Sequence, residues 1–279
     1  MLTRRMVMTS QIELAAVPAR AQDGVFARLE AAHGGRLGVA VLDTGSTKTL
    51  SYRAGERFAM CSTFKLLLAA AILKRIDTGS LKRDQLVRFG AADLVTWSPV
   101  TEKHVGLGMT ISALLYAILV FSDNTAANLL LTTIGGPSGW TAFARSLGDT
   151  VSRLDRMEIA LNSAVPGDVR DTTTPAAMLA DLQKVLLGDV LLPASRQQLI
   201  DTLATSTTGI RRLRAGLPAN WRTVDKTGTG FNGACNDIAI IYPPQRAPIL
   251  ACVYYTGSTR PDAEKESVLA EVGRVIARL

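Results

Sequence analysis

A chain of 279 residues that is 47% hydrophobic and 20% charged can bury a full core, as one large domain or two interlocked ones, and lacks the polar bias of a disordered segment. Its formal net charge of +7 comes from scattered basic residues with one short cluster, Arg211-Arg212-Leu213-Arg214, so there is no nucleic-acid-binding stripe; the charge reads as a solvated surface that would still attract anionic small molecules. Three cysteines (Cys61, Cys235, Cys252) and two histidines (His33, His104), with no C-x-x-C pair, argue against a zinc centre and leave at least one thiol unpaired within the chain.

No apolar run reaches the roughly 18 residues that a membrane-spanning helix needs. Residues 1–21 carry the marks of an export signal: Arg4-Arg5 open it, in the manner of twin-arginine export, and Ala19-Arg20-Ala21 resembles a cleavage site. Gln11 and Glu13 interrupt its apolar middle. Beyond it, Val25, Phe26, Leu29 and Ala32 recur at helical spacing, and Gly34-Gly35 stops that helix. Leu37–Leu42 and Lys48–Tyr52 read as a hairpin turned at Asp43-Thr44-Gly45-Ser46.

From Ser62 to Ile76 the pattern is helical and closes at Asp77-Thr78-Gly79. Ile111–Phe121, Thr125–Ile134 and Pro175–Leu187 are apolar helices. Leu154–Thr174 has no sustained periodicity and contains Pro166 and Gly167; a connection this long inside a compact chain is usually functional or disordered. Strands return at Thr223–Lys226, Asp237–Tyr242 and Ile249–Tyr255. A closing helix carries Val268, Leu269, Val272, Val275, Ile276 and Leu279 on one stripe. The expected fold class is α+β: an antiparallel sheet flanked by N- and C-terminal helices, with an inserted all-helical lobe. The expected units are an α/β lobe of residues 22–60 and 208–279 and a helical lobe of residues 61–207.

Three short segments carry chemistry. Ser62-Thr63-Phe64-Lys65 places a hydroxyl and an amine one helical turn apart, and serine needs such a neighbour to become a nucleophile. Alone, S-x-x-K arises by chance about once in a chain of this size. Ser122-Asp123-Asn124 alone reads as a helix N-cap, and Lys226-Thr227-Gly228 alone as a polar strand end with a glycine turn. Together, each occurring once and in this order with the leading residues 60 and 104 positions apart, they are not coincidence.

From about residue 24 to 279 the chain resembles a class A β-lactamase. Glu158-Ile159-Ala160-Leu161-Asn162 resembles the family's E-x-x-L-N motif on its Ω-loop. Asp171-Thr172-Thr173-Thr174-Pro175 resembles that loop's end, and Arg156 and Asp171 match its pinning ion pair. Trp97-Ser98-Pro99-Val100 resembles the aromatic-S-P-V segment that faces the site.

The resemblance implies hydrolysis of β-lactam antibiotics, and hence resistance to them, through an acyl-serine on Ser62 at the interface between the lobes. Lys65 and Glu158 are the candidate activating bases, Ser122 the proton donor to the leaving nitrogen, and Glu158 and Asn162 the holders of the deacylating water. The backbone N–H groups of Ser62 and Thr229 form the implied oxyanion hole, and Trp97, Asn124, Lys226, Thr227, Gly228, Thr229 and Arg212 the substrate site. No metal, cofactor, nucleic acid or membrane partner is implied; the family expectation is an exported, periplasmic monomer.

Four positions depart from the family pattern. Ile159 stands where proline in a cis peptide is common, and a non-proline cis bond costs about 2.5–4 kcal/mol. Met157 replaces a common aromatic. Cys235 stands where many members carry a carboxylate-supporting arginine, leaving Arg212 as the alternative guanidinium. Gly230 stands where carbapenem-hydrolysing members carry the partner of the cysteine before the nucleophile, so Cys61 is expected to pack as a small buried hydrophobe. A D,D-peptidase shares the three segments but generally lacks the E-x-x-L-N loop; a penicillin-sensing domain, acylated without turnover, is usually membrane-tethered and would be expected to show its loss of deacylation at Glu158–Asn162, which is intact here.

Overall fold

The computed structural model describes residues 20–279, with side chains from residue 24 onward, so the expected export signal lies outside the described residues except for its last two positions. Five strands form one antiparallel sheet: β1 (Arg36–Asp43), β2 (Thr49–Tyr52), β3 (Arg222–Thr229), β4 (Cys235–Tyr242) and β5 (Ile249–Thr256), in the order β2-β1-β5-β4-β3. The register pairs Val39 with Val253, Cys252 with Ile238 and Ile238 with Lys226.

Successive side chains on a strand point to opposite faces, and here both faces are covered. Odd-numbered Val39, Ile241 and Val253 pack with Phe26 of α1 (Arg20–His33) and Val268, Leu269 and Val272 of α9 (Asp262–Ile276). Even-numbered Ile238, Ile240, Leu250 and Tyr254 pack into the helical core. Each such aliphatic side chain contributes about 1.5–3 kcal/mol by burial, which explains why β4 and β5 are near-continuous apolar runs. The same alternation separates two thiols: Cys235 lies in the first layer and Cys252 in the second, so they cannot pair although their strands are neighbours. Ala32, one of the four apolar residues at helical spacing in α1, is exposed.

The helical core surrounds α2 (Phe64–Asp77), whose residues Phe64–Leu73 are all buried. A helix apolar on every side belongs at the centre of a bundle. Around it lie α3 (Ile111–Val120), α4 (Asn124–Thr133), α5 (Gly136–Ser146), α6 (Pro175–Leu186) and α7 (Pro193–Ala204), while the single turn α8 (Leu213–Gly216) packs on α9 in the other layer, with Leu213 beside Val268 and Leu269. Local chemistry starts several of them: Thr110, Asp123 and Thr174 each accept the backbone N–H three residues on, and Pro175 occupies the first turn of α6.

Three elements were not legible in the sequence. The first turn of α5 contains two glycines and a proline, and tertiary packing holds it: Trp140 is fully buried and its Nε1 donates to Phe64 O at 3.0 Å. Asp77 anchors α7 by accepting from Leu192 N and Ser195 Oγ. α8 follows directly on Arg212.

Leu154–Thr174 is irregular apart from a 3-10 turn at Ala160–Asn162 and a two-residue pairing of Thr172–Thr173 with Phe58–Ala59. Arg156 Nε and Asp171 Oδ2 close its neck at 2.5 Å, with Asp171 fully buried and its other oxygen accepting from Asp155 N and Arg156 N. Met157 is partly buried against the helical core.

Candidate active site

Four segments converge on a cleft of about 480 Å3, a volume suited to a small molecule. Its lining includes Ser62, Trp97, Ser122, Asn124, Asn162, Arg212, Thr227 and Thr229. Ser62 lies in the 3-10 turn Cys61–Thr63 that leads into α2. Cys61, Trp97, Ser122 and Asp171 all have left-handed φ values, of 45°, 67°, 58° and 57°. Such backbone costs about 1–3 kcal/mol per residue and persists where the surroundings over-determine it, often at functional sites.

Lys65 is the centre of the arrangement. Its side chain is fully buried, and Nζ lies 3.1 Å from Ser62 Oγ, 2.8 Å from Ser122 O, 2.6 Å from Asn124 Oδ1 and 2.9 Å from Glu158 Oε1. Burial pulls its pKa down, while the Glu158 carboxylate works in the opposite direction. A charged amine has three N–H donors and no lone pair. A neutral one can satisfy Ser122 O and Asn124 Oδ1 and still turn a lone pair towards the Ser62 hydroxyl.

Ser122 lies between two amines: its Oγ is 3.0 Å from Lys226 Nζ and 3.4 Å from Lys65 Nζ. Lys226 is fully buried, and burial together with the charge on Lys65 brings its pKa down to about 7. The strand β3 continues to Thr229, so the K-T-G segment lies inside the edge strand rather than at its end. A Cβ on Gly228 would stand 2.8 Å from Met60 O, and one on Gly230 would stand 2.6 Å from both Asn162 O and Cys61 Sγ; small residues let this strand close on the serine turn.

Glu158 is almost fully buried. Its Oε2 accepts from Asn162 Nδ2 at 2.5 Å, while Asn162 Oδ1 is buried without a protein partner. The Glu158–Ile159 peptide is cis. Asn128, which sequence reasoning missed, clamps this residue from both sides: its Oδ1 accepts from Glu158 N at 2.8 Å and its Nδ2 donates to Glu158 O at 2.9 Å. The available signal was its position four residues after Asn124 on one helical face. Asp123 does more than cap α4, since it also accepts from Val100 N and Thr101 N and so fastens the loop that carries Trp97. Thr208, also missed, accepts from Thr227 Oγ1 at 2.8 Å.

The basic cluster divides. Arg211 is exposed and paired with Glu266, and Arg214 pairs with buried Asp225. Arg212 is buried: Nη1 donates to Gly228 O and Asn236 O, and Nη2 donates to Thr229 Oγ1 at 2.7 Å. Trp97 is 63% exposed, its Nε1 donating to Phe121 O. Cys61 is fully buried, and burial raises its thiol pKa.

A serine turned by a buried, lysine-centred network, on a helix packed against an antiparallel sheet, defines an acyl-transferring serine hydrolase. The chain belongs to the β-lactamase enzyme family, whose model matches residues 23–279, and within it to the class A serine enzymes. It is 50% identical over 251 residues to the carbapenem-hydrolysing β-lactamase KPC of Klebsiella oxytoca, covering 90% of this chain and 86% of that one. It is 50% identical over 254 residues to β-lactamase AST-1 of Nocardia asteroides, covering 91% of this chain and 82% of that one. The solved structure of an ancestral class A β-lactamase superposes with a TM-score of 0.91 at 58% identity, covering 92% of this chain and 99% of that one. The protein is a hydrolase that opens the cyclic amide of β-lactams.

Proposed function

We propose that the reaction runs through an acyl-serine on Ser62, with acylation and deacylation served by one buried network. The observation that carries this reading is the position of Lys65 Nζ, 3.1 Å from the Ser62 hydroxyl and 2.9 Å from the Glu158 carboxylate. Neutral Lys65, or Glu158, takes the Ser62 proton as Oγ attacks the lactam carbonyl. The backbone N–H groups of Ser62 and Thr229 receive the developing oxyanion, each donor contributing about 3 kcal/mol. The C–N bond breaks and Ser122 gives its proton to the nitrogen. Ser122 recovers a proton from the flanking amines.

A water then gives a proton to Glu158 and attacks the acyl carbonyl, with Asn162 helping to hold it; Ser62 leaves with its proton restored. Asn124 holds the substrate's side-chain amide, and Trp97 borders the opening. Lys226, Thr227, Gly228, Thr229 and Arg212 hold its carboxylate. Arg156 and Asp171 fix the loop that supplies Glu158. The same reading assigns an α/β lobe (22–60 and 208–279) and a helical lobe (61–207). It also holds that the protein is exported, to the periplasm where there is an outer membrane, and acts as a monomer; among the described residues no helix is long and apolar enough to cross a membrane. A D,D-peptidase or sensor would not need the buried Glu158–Asn162 pair.

Time-resolved intact mass spectrometry with a penicillin, alongside loss of substrate, tests the route. The expected result is a transient adduct on Ser62 with many turnovers per enzyme. A stable stoichiometric adduct would overturn the deacylation half, and turnover by Ser62→Ala at the parent rate would overturn the nucleophile.

A further inference from the structure

A second cavity, of about 550 Å3, lies under the loop that carries Glu158 and shares no lining residue with the Ser62 cleft. Its walls come from residues 163–170 on one side and from Arg36, Arg57, Thr256 and Gly257 on the other. Four arginines and one aspartate line it. Three of the arginines are neutralised: Arg36 by Glu56 at 2.9 Å, Arg156 by Asp171 at 2.5 Å, and Arg170 by Asp168 at 2.8 Å. Arg57 has no carboxylate in ion-pair contact among the described residues.

The hydrogen bonds of Arg57 use one corner of the guanidinium. Nη1 donates to Val151 O and Thr172 Oγ1, both at 3.0 Å. Nε and Nη2 have no protein acceptor among the described residues, and these two N–H groups form the edge that fits a carboxylate with two parallel bonds. Ser163, also in the lining, has a buried hydroxyl with no protein partner. The loop wall is apolar and accessible, with Val165 50% and Val169 48% exposed. Volume, one uncompensated cation and an apolar wall are the complement of a small amphiphilic monoanion.

We propose that this cavity is a second ligand site, which binds an aromatic or branched carboxylate with its anionic end on Arg57 and its apolar body against Val165 and Val169. A bound ligand there lies against the segment that follows Asn162, on the loop that also supplies Glu158.

The test is titration of the 15N-labelled full chain with 2-naphthoate, with neutral 2-naphthylmethanol in parallel. Because Lys226 and Arg212 can also attract a carboxylate, the location is read from amide shifts. The proposal expects saturable shifts at Val165, Gly167, Val169 and Gly257, binding weaker by about tenfold or more for Arg57→Gln, and a similar loss for the alcohol. Shifts confined to Thr229, Ala234 and Cys235 would place the carboxylate in the Ser62 cleft alone and overturn the proposal. Equal affinity for acid and alcohol would overturn the role of Arg57; this comparison needs no variant and holds even if Arg57→Gln fails to fold.

Discussion

Replacing Glu158 by alanine separates the two halves of the reaction. The carboxylate and the Lys65 ammonium are both fully buried and 2.9 Å apart. Removing one member of a buried pair normally costs about 3–5 kcal/mol, because the other charge is left without a partner. Lys65 has an escape, since burial already lowers its pKa and Glu158 is the chief group holding it up. Loss of Glu158 therefore shifts Lys65 further towards its neutral form, so the stability loss is expected below that range and a lone pair remains to accept the Ser62 proton. Acylation survives while deacylation loses its base, a loss of about 10²–10⁴-fold. Intact mass spectrometry of the variant with a penicillin should show near-complete conversion to the adduct within the first turnover and almost no further hydrolysis. Turnover at the parent rate would refute the role of Glu158. A folded variant that forms no adduct would refute the claim that Lys65 suffices for acylation.

Three further outcomes follow from the same geometry. Lys226, with its pKa brought down to about 7, is charged below that pH and loses its charge as the pH rises. The alkaline limb of kcat/KM for a penicillin should therefore fall from about pH 7, and Lys226→Arg should carry the limb upward; an unshifted limb would detach it from Lys226. Arg212→Ala removes a buried guanidinium bonded to Thr229 Oγ1 and should raise KM for penicillins by about tenfold or more with a smaller change in kcat; an unchanged KM would remove Arg212 from the carboxylate site. Asp171→Asn weakens the closure at the loop neck. Hydrogen exchange should then rise across residues 155–170 while α2 stays protected, and equal protection throughout would show that the ion pair does not hold the loop.

Much of this was legible because it is periodic or covalently local. α2, α3, α4 and α6 were readable from apolar spacing and capping residues to within two positions of their observed ends. Ser62 and Lys65 were readable as neighbours because three residues make almost one helical turn. α5 and α7 were not, since a Gly-Pro-Ser-Gly start has poor helix propensity and its helix depends on a tryptophan bonded to a carbonyl 76 residues away. Asn128 and Thr208 were missed for a similar reason: what they bond to is brought near only by the tertiary fold. Arg211, Arg212 and Arg214 form one basic cluster in sequence, and only their surroundings separate an exposed side chain from two embedded in buried polar contacts.

The two buried lysines show how one physical cause can serve two tasks. Both have lowered basicity because burial penalises the charged amine. Lys65 faces a carboxylate 2.9 Å away, so the protein itself supplies its counter-charge, and its proton can pass between groups that are already in place. Lys226 has no carboxylate in ion-pair contact among the described residues, and the charge on Lys65 depresses it further. An incoming β-lactam carboxylate would provide the missing partner and favour the protonated amine. Binding would then load a proton 3.0 Å from Ser122 Oγ, the group assigned to hand one to the departing nitrogen. On this reading, substrate recognition and leaving-group protonation are a single electrostatic event, and the substrate charge that brings the molecule into the cleft also prepares the proton its ring opening requires.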